Sequence, residues 1–327
     1  MPHDAITDVA GVLVGHRTVS RDPDVRTGVT VVVPPELPLF AGAHRLNGNG
    51  ELTGLEWIRE SGLLTTPVGL TNTHSVGVVR DALVEVSLRR GRGEDWALPV
   101  VGETWDGFLS DVDGMHVARE HVFEAFDAAA GGPVEQGCVG SGTGMVCHGF
   151  KGGIGTASRR AGEFTVGVLV QANHGRRSRL AVDGVPVGRE LGPDVVPLPE
   201  GAPEGAGSII VIVATDAPLL PHQCDRLAQR AALGVARTGG AGENSSGDLM
   251  LCFATGNRGL GRAEGRIAVE LLPNERLDEL FYAAIEATEA AIVNALLAAE
   301  TTSGRLGRVV HALPRERFEE VMSAWRR

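Results

Sequence analysis

Residues 239–251 read Gly-Gly-Ala-Gly-Glu-Asn-Ser-Ser-Gly-Asp-Leu-Met-Leu, a flexible polar run that ends abruptly at an apolar strand. The strand is predicted to be buried and to extend to residue 255. A hydroxyl residue at such a junction can attack the carbonyl before it, and an N-to-O acyl shift followed by hydrolysis would free a serine α-amine. That amine has a pKa of about 7.7–8.0, so it can act as general base for its own hydroxyl. The local pattern does not choose between Ser245 and Ser246, and Asn-Ser-Ser-Gly before a strand is also typical of a plain turn.

Strands and helices intermingle on both sides of this junction. Apolar, β-branched runs bounded by Gly or Pro predict strands at 9–17, 28–33, 67–70, 98–101, 164–172 and 208–214. Helical apolar spacing predicts helices at 54–61, 76–89, 120–130, 221–237, 277–300 and 318–325. Residues 177–207 are rich in proline and are interpreted as a long surface connection. The mixture indicates a layered α/β architecture.

Composition excludes several classes of protein. The 327 residues allow one large domain or two small ones, and 43% hydrophobic residues supply an ample core. A formal net charge of -11 argues against a broad nucleic-acid surface. Uninterrupted apolar stretches of about 18 residues are absent from the sequence, so no transmembrane helix is expected. The polar N-terminus lacks the regions of a signal peptide, so we expect a cytoplasmic protein.

Metal and cofactor motifs are also missing from the sequence. The ten histidines show no H-E-x-x-H or other close ligand spacing, and His148 beside Cys147 is interpreted as structural rather than metal-binding. The glycine-rich residues 140–144 lack the full G-x-x-x-x-G-K-[ST] and G-x-G-x-x-G patterns of phosphate-binding loops. We therefore expect neither a metal nor a cofactor.

Two polar residues outside the junction have both a catalytic and a structural interpretation. Asn173 closes a predicted strand, where its amide can donate to an oxyanion or simply cap the strand end. Glu289 lies among apolar neighbours on the 277–300 helix. There it can hold a serine ammonium if it faces inward, whereas an exposed helical glutamate would have no such role.

Nine co-linear segments together carry a family resemblance. They are Ile6-Thr7-Asp8-Val9 with Val14-Gly15-His16; Thr27-Gly28-Val29-Thr30; Asn47-Gly48-Asn49-Gly50-Glu51; Gly69-Leu70-Thr71-Asn72-Thr73; Glu103-Thr104-Trp105-Asp106-Gly107; Lys151-Gly152-Gly153-Ile154-Gly155-Thr156; Gln171-Ala172-Asn173; Ala214-Thr215-Asp216-Ala217-Pro218-Leu219; and Ser246-Gly247-Asp248. The chain resembles the L-aminopeptidase/D-esterase (DmpA) and β-peptidyl aminopeptidase (BapA) family from its N-terminus to about Gly304.

The resemblance implies an architecture and a maturation step. The expected fold is a four-layer α-β-β-α sandwich, shared with ornithine acetyltransferase. A single hydrolase domain, 1–327, is expected to cleave itself into an α subunit, 1–245, and a β subunit, 246–327. The two subunits would stay together and assemble into a tetramer. Cleavage would fall between Ser245 and Ser246, which makes Ser246 the nucleophile.

The same resemblance implies roles for four further residues. Asn173 matches the asparagine that stabilises the oxyanion. Glu103 and Trp105 match positions of the substrate pocket, where a carboxylate suits a substrate amino group. Glu289 matches an acidic residue that orients the nucleophile.

The chain departs from the family pattern at three places, the first of which is Ser110, where many relatives have Asn. Ser245 stands where relatives often have Asn or Gly, which is expected to alter the rate of processing. A hydroxyl residue usually stands two positions before the late glutamate, but Ala287 occupies that position here. Either the adjacent Thr288 takes the catalytic role, or the register is shifted by one.

These features predict an N-terminal-nucleophile serine aminopeptidase that releases the first residue from small peptides, amides or esters, including D- or β-amino-acid substrates. Its only expected partners are the substrate and copies of itself, with neither nucleic acid nor membrane involved. Two alternatives remain: a polyamide hydrolase or acyltransferase on the same scaffold, and an unprocessed, catalytically silent binding protein.

Overall fold

The computed structural model describes residues 1–89, 96–201, 205, 207–261 and 265–325. Its strands are β1 (Leu13–Arg21), β2 (Val25–Val33), β3 (Leu39–Gly48), β4 (Leu63–Leu64), β5 (Val68–Asn72), β6 (Val100–Thr104), β7 (Val146–Cys147), β8 (Phe150–Lys151), β9 (Gly153–Ala161), β10 (Phe164–Asn173), β11 (Ser208–Thr215), β12 (Gly247–Ala254), β13 (Thr302–Ser303) and β14 (Val309–Val310). Its α-helices are α1 (Leu55–Ser61), α2 (Val76–Arg89), α3 (Arg119–Asp127), α4 (Val187–Glu190), α5 (Pro221–Arg237), α6 (Leu277–Ala298) and α7 (Arg315–Trp325).

The first sheet has four strands in the order β1-β2-β5-β6. The β1–β2 and β2–β5 pairs are antiparallel, and β5 and β6 run parallel. Every residue of β2 is buried, because both faces of the strand are covered. Val29 and Val31 pack outward against Val79 and Leu83 of α2, so helices form the layer outside this sheet.

The second sheet has six strands in the order β4-β3-β12-β11-β10-β9. Its central β11 and β12 are parallel, and the remaining pairs are antiparallel. Successive side chains of a strand point to opposite faces, so β11 serves two cores at once. Ile210 and Ile212 pack towards the first sheet, together with Leu70. Ile209 and Val211 pack on the other face, within the core that α5 and α6 cover.

Helices α5 and α6 cover the far side of the second sheet, and glycines let the backbone of α6 approach both β9 and α5 closely. A Cβ on Gly155 of β9 would lie 1.9 Å from the carbonyl oxygen of Ala291, and a Cβ on Gly234 would lie 2.6 Å from that of Ile285. The stretch Asn274–Ala298 is long and apolar enough to cross a membrane by length and composition, but 61% of its apolar window is buried inside the protein. Packing against β9 and β10 accounts for that composition.

The order helix, sheet, sheet, helix confirms the predicted four-layer α-β-β-α sandwich. The apolar core between the two sheets contains Val68, Leu70 and Val100 from one sheet and Ile210 and Leu251 from the other. Residue 246 lies directly before β12, which is a central strand of the second sheet.

The interpretation of residues 177–207 as a surface connection is wrong for the described part of that segment. Leu180, Val187 and Leu191 are buried in the core beneath α5 and α6. Arg177 is 1% exposed, donates to carbonyl groups within the segment, and stacks 3.3 Å over the Phe150 ring. The prolines correctly predict an irregular backbone in this segment. Carbonyl groups of that backbone can nevertheless be buried, because the Arg177 guanidinium donates hydrogen bonds to them. Residues 202–204 and 206 lie outside the described residues.

Candidate active site

Ser246 is held in a tight turn immediately before β12. Its backbone N–H donates to the Glu243 carbonyl at 2.8 Å, and its own carbonyl accepts the Asn49 N–H at 3.2 Å. The next residue must be glycine, because a Cβ on Gly247 would lie 2.6 Å from the Asn49 carbonyl oxygen. Ser246 is only 2% exposed, so the structure fixes its backbone and shields it from bulk solvent.

The Ser246 hydroxyl donates to the Asp248 carboxylate, with 2.5 Å between Oγ and Oδ1. The two residues are separated by one position at the start of a strand, so their side chains share one face. Burial raises the pKa of Asp248 to about 6, because the charged form loses its hydration, while the Ser246 hydrogen bond acts in the opposite direction. A carboxylate that ionises just below neutral pH is suited to accept the serine proton.

Asn49 contacts both sides of the peptide bond between Ser245 and Ser246. Its backbone N–H bonds the Ser246 carbonyl, and its side-chain Nδ2 donates to the Ser245 carbonyl oxygen at 2.8 Å. The Ser245 carbonyl is the group that Ser246 Oγ would attack. A donor on that oxygen polarises the carbonyl and favours the oxyanion that forms on attack.

Asn173 lies at the end of β10, and its side-chain amide is fixed on both sides. Oδ1 accepts the Val146 N–H at 2.7 Å, and Nδ2 donates to the Trp105 carbonyl at 3.0 Å. Nδ2 carries a second N–H that can serve an oxyanion. The β10–β11 register pairs Asn173 with Ser208, whose Oγ accepts the Gly247 N–H at 3.0 Å, so one residue of β11 connects the asparagine to the turn that holds Ser246.

A cavity of about 500 Å³ opens beside the turn. It is lined by Asn49, Gly50, Glu51, Thr73, Glu103, Trp105, Gly207, Ser208 and Ser245. The structure therefore brings the predicted pocket residues Glu103 and Trp105 to the same cavity as Ser245, the residue on the carbonyl side of the predicted cleavage bond.

Glu103 is a buried carboxylate on the cavity wall, with 3% of its surface exposed. Oε1 accepts the Glu51 N–H at 3.0 Å, and Oε2 accepts the Thr73 hydroxyl. Burial raises the pKa of Glu103, and these two hydrogen bonds partly counter that effect. Trp105 is 39% exposed at the rim and packs its indole over Gly107, where a Cβ would lie 2.5 Å from the ring.

The remaining two predicted residues lie on α6 and contact other groups. Glu289 accepts the Asp183 N–H at 3.0 Å and pairs with Arg237 at 2.7 Å. Thr288 donates its hydroxyl to the Ala284 carbonyl at 2.7 Å. In the described residues neither side chain is hydrogen-bonded to Ser246. Arg237 is the last residue of α5, and the run that leads to Ser246 begins just after it. The ion pair with Arg237 therefore connects Glu289 on α6 to the start of that run. The catalytic role of Glu289 stays a prediction.

Sequence reasoning assigned no role to Asp248 and Asn49, although both lie in segments that carry the family resemblance. The signal for Asp248 was its spacing of two from Ser246 on a predicted strand. The sequence holds no comparable signal for Asn49, because its contact with Ser245 spans 196 residues and depends on the pairing of β3 with β12.

The layered fold and the serine that precedes a central strand define the class of N-terminal-nucleophile hydrolases. The chain belongs to peptidase family S58, whose model matches residues 4–310. The protein is therefore a hydrolase, and specifically an aminopeptidase, which confirms the predicted family and class of activity.

Relatives and solved structures agree with this assignment. The chain is 46% identical to the β-peptidyl aminopeptidase BapA of Sphingosinicella microcystinivorans, over 99% of this chain and 89% of that protein. A β-aminopeptidase from a Burkholderia species is 51% identical with a TM-score of 0.91, covering 99% of this chain and 95% of that one. The L-aminopeptidase D-Ala-esterase/amidase of Ochrobactrum anthropi, described as a variant of the Ntn hydrolase fold, is 41% identical with a TM-score of 0.90, covering 100% and 95%.

Proposed function

We propose that the chain cleaves itself between Ser245 and Ser246 and that Ser246 is then the nucleophile of the mature aminopeptidase. The observation that carries this proposal is the turn itself. The Ser246 hydroxyl bonds a carboxylate, while the carbonyl that it would attack accepts the Asn49 amide. The two subunits of the proposal are residues 1–245 and 246–327.

Self-cleavage follows from these contacts in two steps. Ser246 Oγ attacks the Ser245 carbonyl carbon while Asp248 takes the hydroxyl proton, and Asn49 Nδ2 stabilises the oxyanion. The C–N bond then breaks, the proton passes to the departing nitrogen, and an ester remains on Oγ. Water hydrolyses that ester, which leaves a carboxylate on Ser245 and a free α-amine on Ser246.

Peptide hydrolysis in the mature enzyme uses the same hydroxyl with a new base. The freed α-amine accepts the Ser246 proton as Oγ attacks the substrate carbonyl. The second N–H of Asn173 Nδ2 stabilises the oxyanion, and Glu103 receives the ammonium group of the substrate in the cavity that Ser245 lines in the intact chain. Glu289 positions the nucleophile indirectly, through its ion pair with Arg237 at the end of the helix that leads to the Ser246 run.

Substrates with an N-terminal β-residue are the proposed preference. Two relatives that carry this activity in their names are 46% and 41% identical to the chain over nearly its whole length. A substrate panel tests the preference directly: β-alanyl and L-alanyl amides of one chromogenic amine should be cleaved at different kcat/KM values, with the β-alanyl amide the better substrate.

The intact mass of freshly purified protein tests the cleavage. The chain of 34.2 kDa should give pieces of about 25 and 9 kDa, the smaller beginning Ser-Gly-Asp-Leu. Ser246→Ala should stay intact and lack peptidase activity, whereas Ser245→Ala, the matched control, should still be cleaved. Full activity of Ser246→Ala would disprove the assignment, and a wild-type chain that remains intact would favour a silent scaffold.

A further inference from the structure

Behind Asn173 the fold gathers a thiol and two imidazoles that the proposed reaction does not use. Cys147 ends β7, His148 follows it, and His174 follows β10. Their donor atoms all lie within 4.8 Å of one another, and Cys147 Sγ is 3.8 Å from His174 Nδ1. The three residues are 0%, 0% and 3% exposed. In the part of the chain that the structure describes, this is the one such group of three donors.

Both imidazoles keep a nitrogen without a hydrogen-bond partner. His148 Nδ1 lies 3.0 Å from the Arg176 carbonyl oxygen and must donate to it, so Nε2 carries the lone pair. Within the described residues, Nε2 of His148 and Nε2 of His174 are buried and unbonded. Buried polar atoms nearly always have a partner, so two unpartnered nitrogens in one cluster are unusual. An imidazole that donates one N–H to a backbone carbonyl and presents its other nitrogen is also the arrangement seen in metal ligands.

We propose that Cys147, His148 and His174 bind one transition-metal ion of the zinc type. One thiolate and two imidazoles form a donor set that Zn²⁺ and Co²⁺ accept in tetrahedral sites. With bonds of about 2.0–2.3 Å, tetrahedral ligand atoms lie about 3.3–3.8 Å apart. The Cys147 Sγ–His174 Nδ1 separation of 3.8 Å already meets that value, so His174 would bind through Nδ1 and His148 through its unpartnered Nε2, and the remaining donors need shifts of about 1 Å. The Cys147 thiol proton is released to solvent when the ion binds.

The surrounding backbone pre-positions the cluster. The His148 N–H donates to the His174 carbonyl at 2.7 Å, and the two rings lie 5.0 Å apart at 67°. Gly175 leaves room for the His148 ring, since a Cβ there would lie 2.3 Å from it. A buried Glu243 oxygen also lacks a hydrogen bond within the described residues, but it lies 3.8 Å from Arg176 Nε in an ion pair, so the three residues of the cluster are the ligands proposed here.

Cobalt provides the direct test on the full chain. Chelator-treated wild-type protein should bind about one Co²⁺ per chain and develop a thiolate-to-cobalt charge-transfer band. Cys147→Ser should lose that band, and His174→Gln should weaken binding at least about tenfold, as expected for the loss of a ligand. Cys224→Ala, which removes a buried thiol outside the cluster, should behave as wild type. His148→Asn is a suitable third variant, because His148 has φ +50° and Asn tolerates that conformation.

Two further measurements keep the outcome unambiguous. Saturating Zn²⁺ should raise the Tm of wild type but not of the three variants, whose Tm without metal reports whether they fold. The titration repeated on Ser246→Ala separates this site from the proposed self-cleavage, because Ser246 is not one of the ligands. The proposal is overturned if wild type, purified from zinc-supplemented culture or equilibrated with Co²⁺, holds no ion, or if Cys147→Ser retains the band.

Discussion

At the scale of single residues, Asp248 is the group best placed to control self-cleavage. Asp248→Asn keeps the hydrogen bond from Ser246 but cannot take its proton, so we expect processing to slow about 100-fold or more. The carboxylate must be ionised to act, and burial raises its pKa to about 6, so the wild-type rate should increase as pH rises through about 6 and then level. Mass spectrometry of timed samples after dilution from acidic buffer would measure both.

A purely structural role for Asp248 would give a different pattern. Asp216→Asn is the matched control, because Asp216 also accepts a close hydrogen bond, from the Thr165 N–H at 2.7 Å, but lies at the opposite end of β11 from Ser208. It should leave the processing rate and its pH profile unchanged. If Asp248→Asn keeps the rise near pH 6, the proton acceptor is another group.

The Asn49 side chain makes a second prediction at this scale. Asn49→Asp preserves the shape and the backbone bond to Ser246 but removes the donor to the Ser245 carbonyl. Losing one such donor from a buried site slows a reaction by about 100-fold or more. Asn49 is exposed, so water can partly replace its amide. We therefore expect cleavage to be about tenfold slower. Asn244→Asp places the same charge two residues before Ser246, in the run that precedes β12, and should cleave at the wild-type rate. Equal rates for Asn49→Asp and wild type would remove Asn49 from the mechanism.

At the scale of elements, the contact of β9 with α6 depends on glycine. A Cβ on Gly155 would meet the Ala291 carbonyl at 1.9 Å and the Ala295 Cβ at 2.8 Å, so Gly155→Ala forces strand and helix apart and should destabilise by about 3 kcal/mol. Gly77→Ala is the control: the position lies on α2 with nothing within 4 Å, and we expect a gain of about 0.5 kcal/mol. Urea unfolding in the uncleaved Ser246→Ala background measures both; equal stabilities would mean that the layers can separate freely.

Some helices and strands could be predicted from the sequence, and others could not. The bounds of α2 and α5 agree with the prediction, and β11 extends it by one residue, because their apolar periodicity is strong. Strands β3 and β9 were missed. Their Gly, Ala and charged residues carry little β propensity, and they are strands because β12 and β10 supply hydrogen-bond partners.

The same distinction applies to the residues of the proposed sites. Sequence reasoning proposed Ser246 and Asn173 as site residues because each stands at the end of a readable strand. It did not propose the Cys147, His148 and His174 cluster, since Cys147-His148 and His174 are separated along the chain and meet only when β7 packs against the end of β10. Spacing rules detect ligands that share one element, and these do not.

At the scale of the whole molecule, β12 determines what the proposed self-cleavage would do to the fold. The piece that would begin at Ser246 contains β12, which pairs with β3 on one side and β11 on the other, and it also contains α6, which covers the same sheet. Leu251 of β12 lies in the core between the sheets and Met250 in the core under the helices. Cutting the peptide bond before β12 removes no contact of this strand with its neighbours.

We therefore expect the two cleaved pieces to remain one folded unit. They should co-elute at the size of the intact chain or its oligomer and separate only in denaturant. After removal of the denaturant, uncleaved Ser246→Ala should refold more fully than the cleaved protein, because its two parts stay covalently joined and the loop closure is intramolecular. Size-exclusion chromatography with light scattering, before and after a denaturation cycle, measures this and the assembly state together. Release of the 9 kDa piece under native conditions would show that β12 is held far more weakly than its position in the sheet implies.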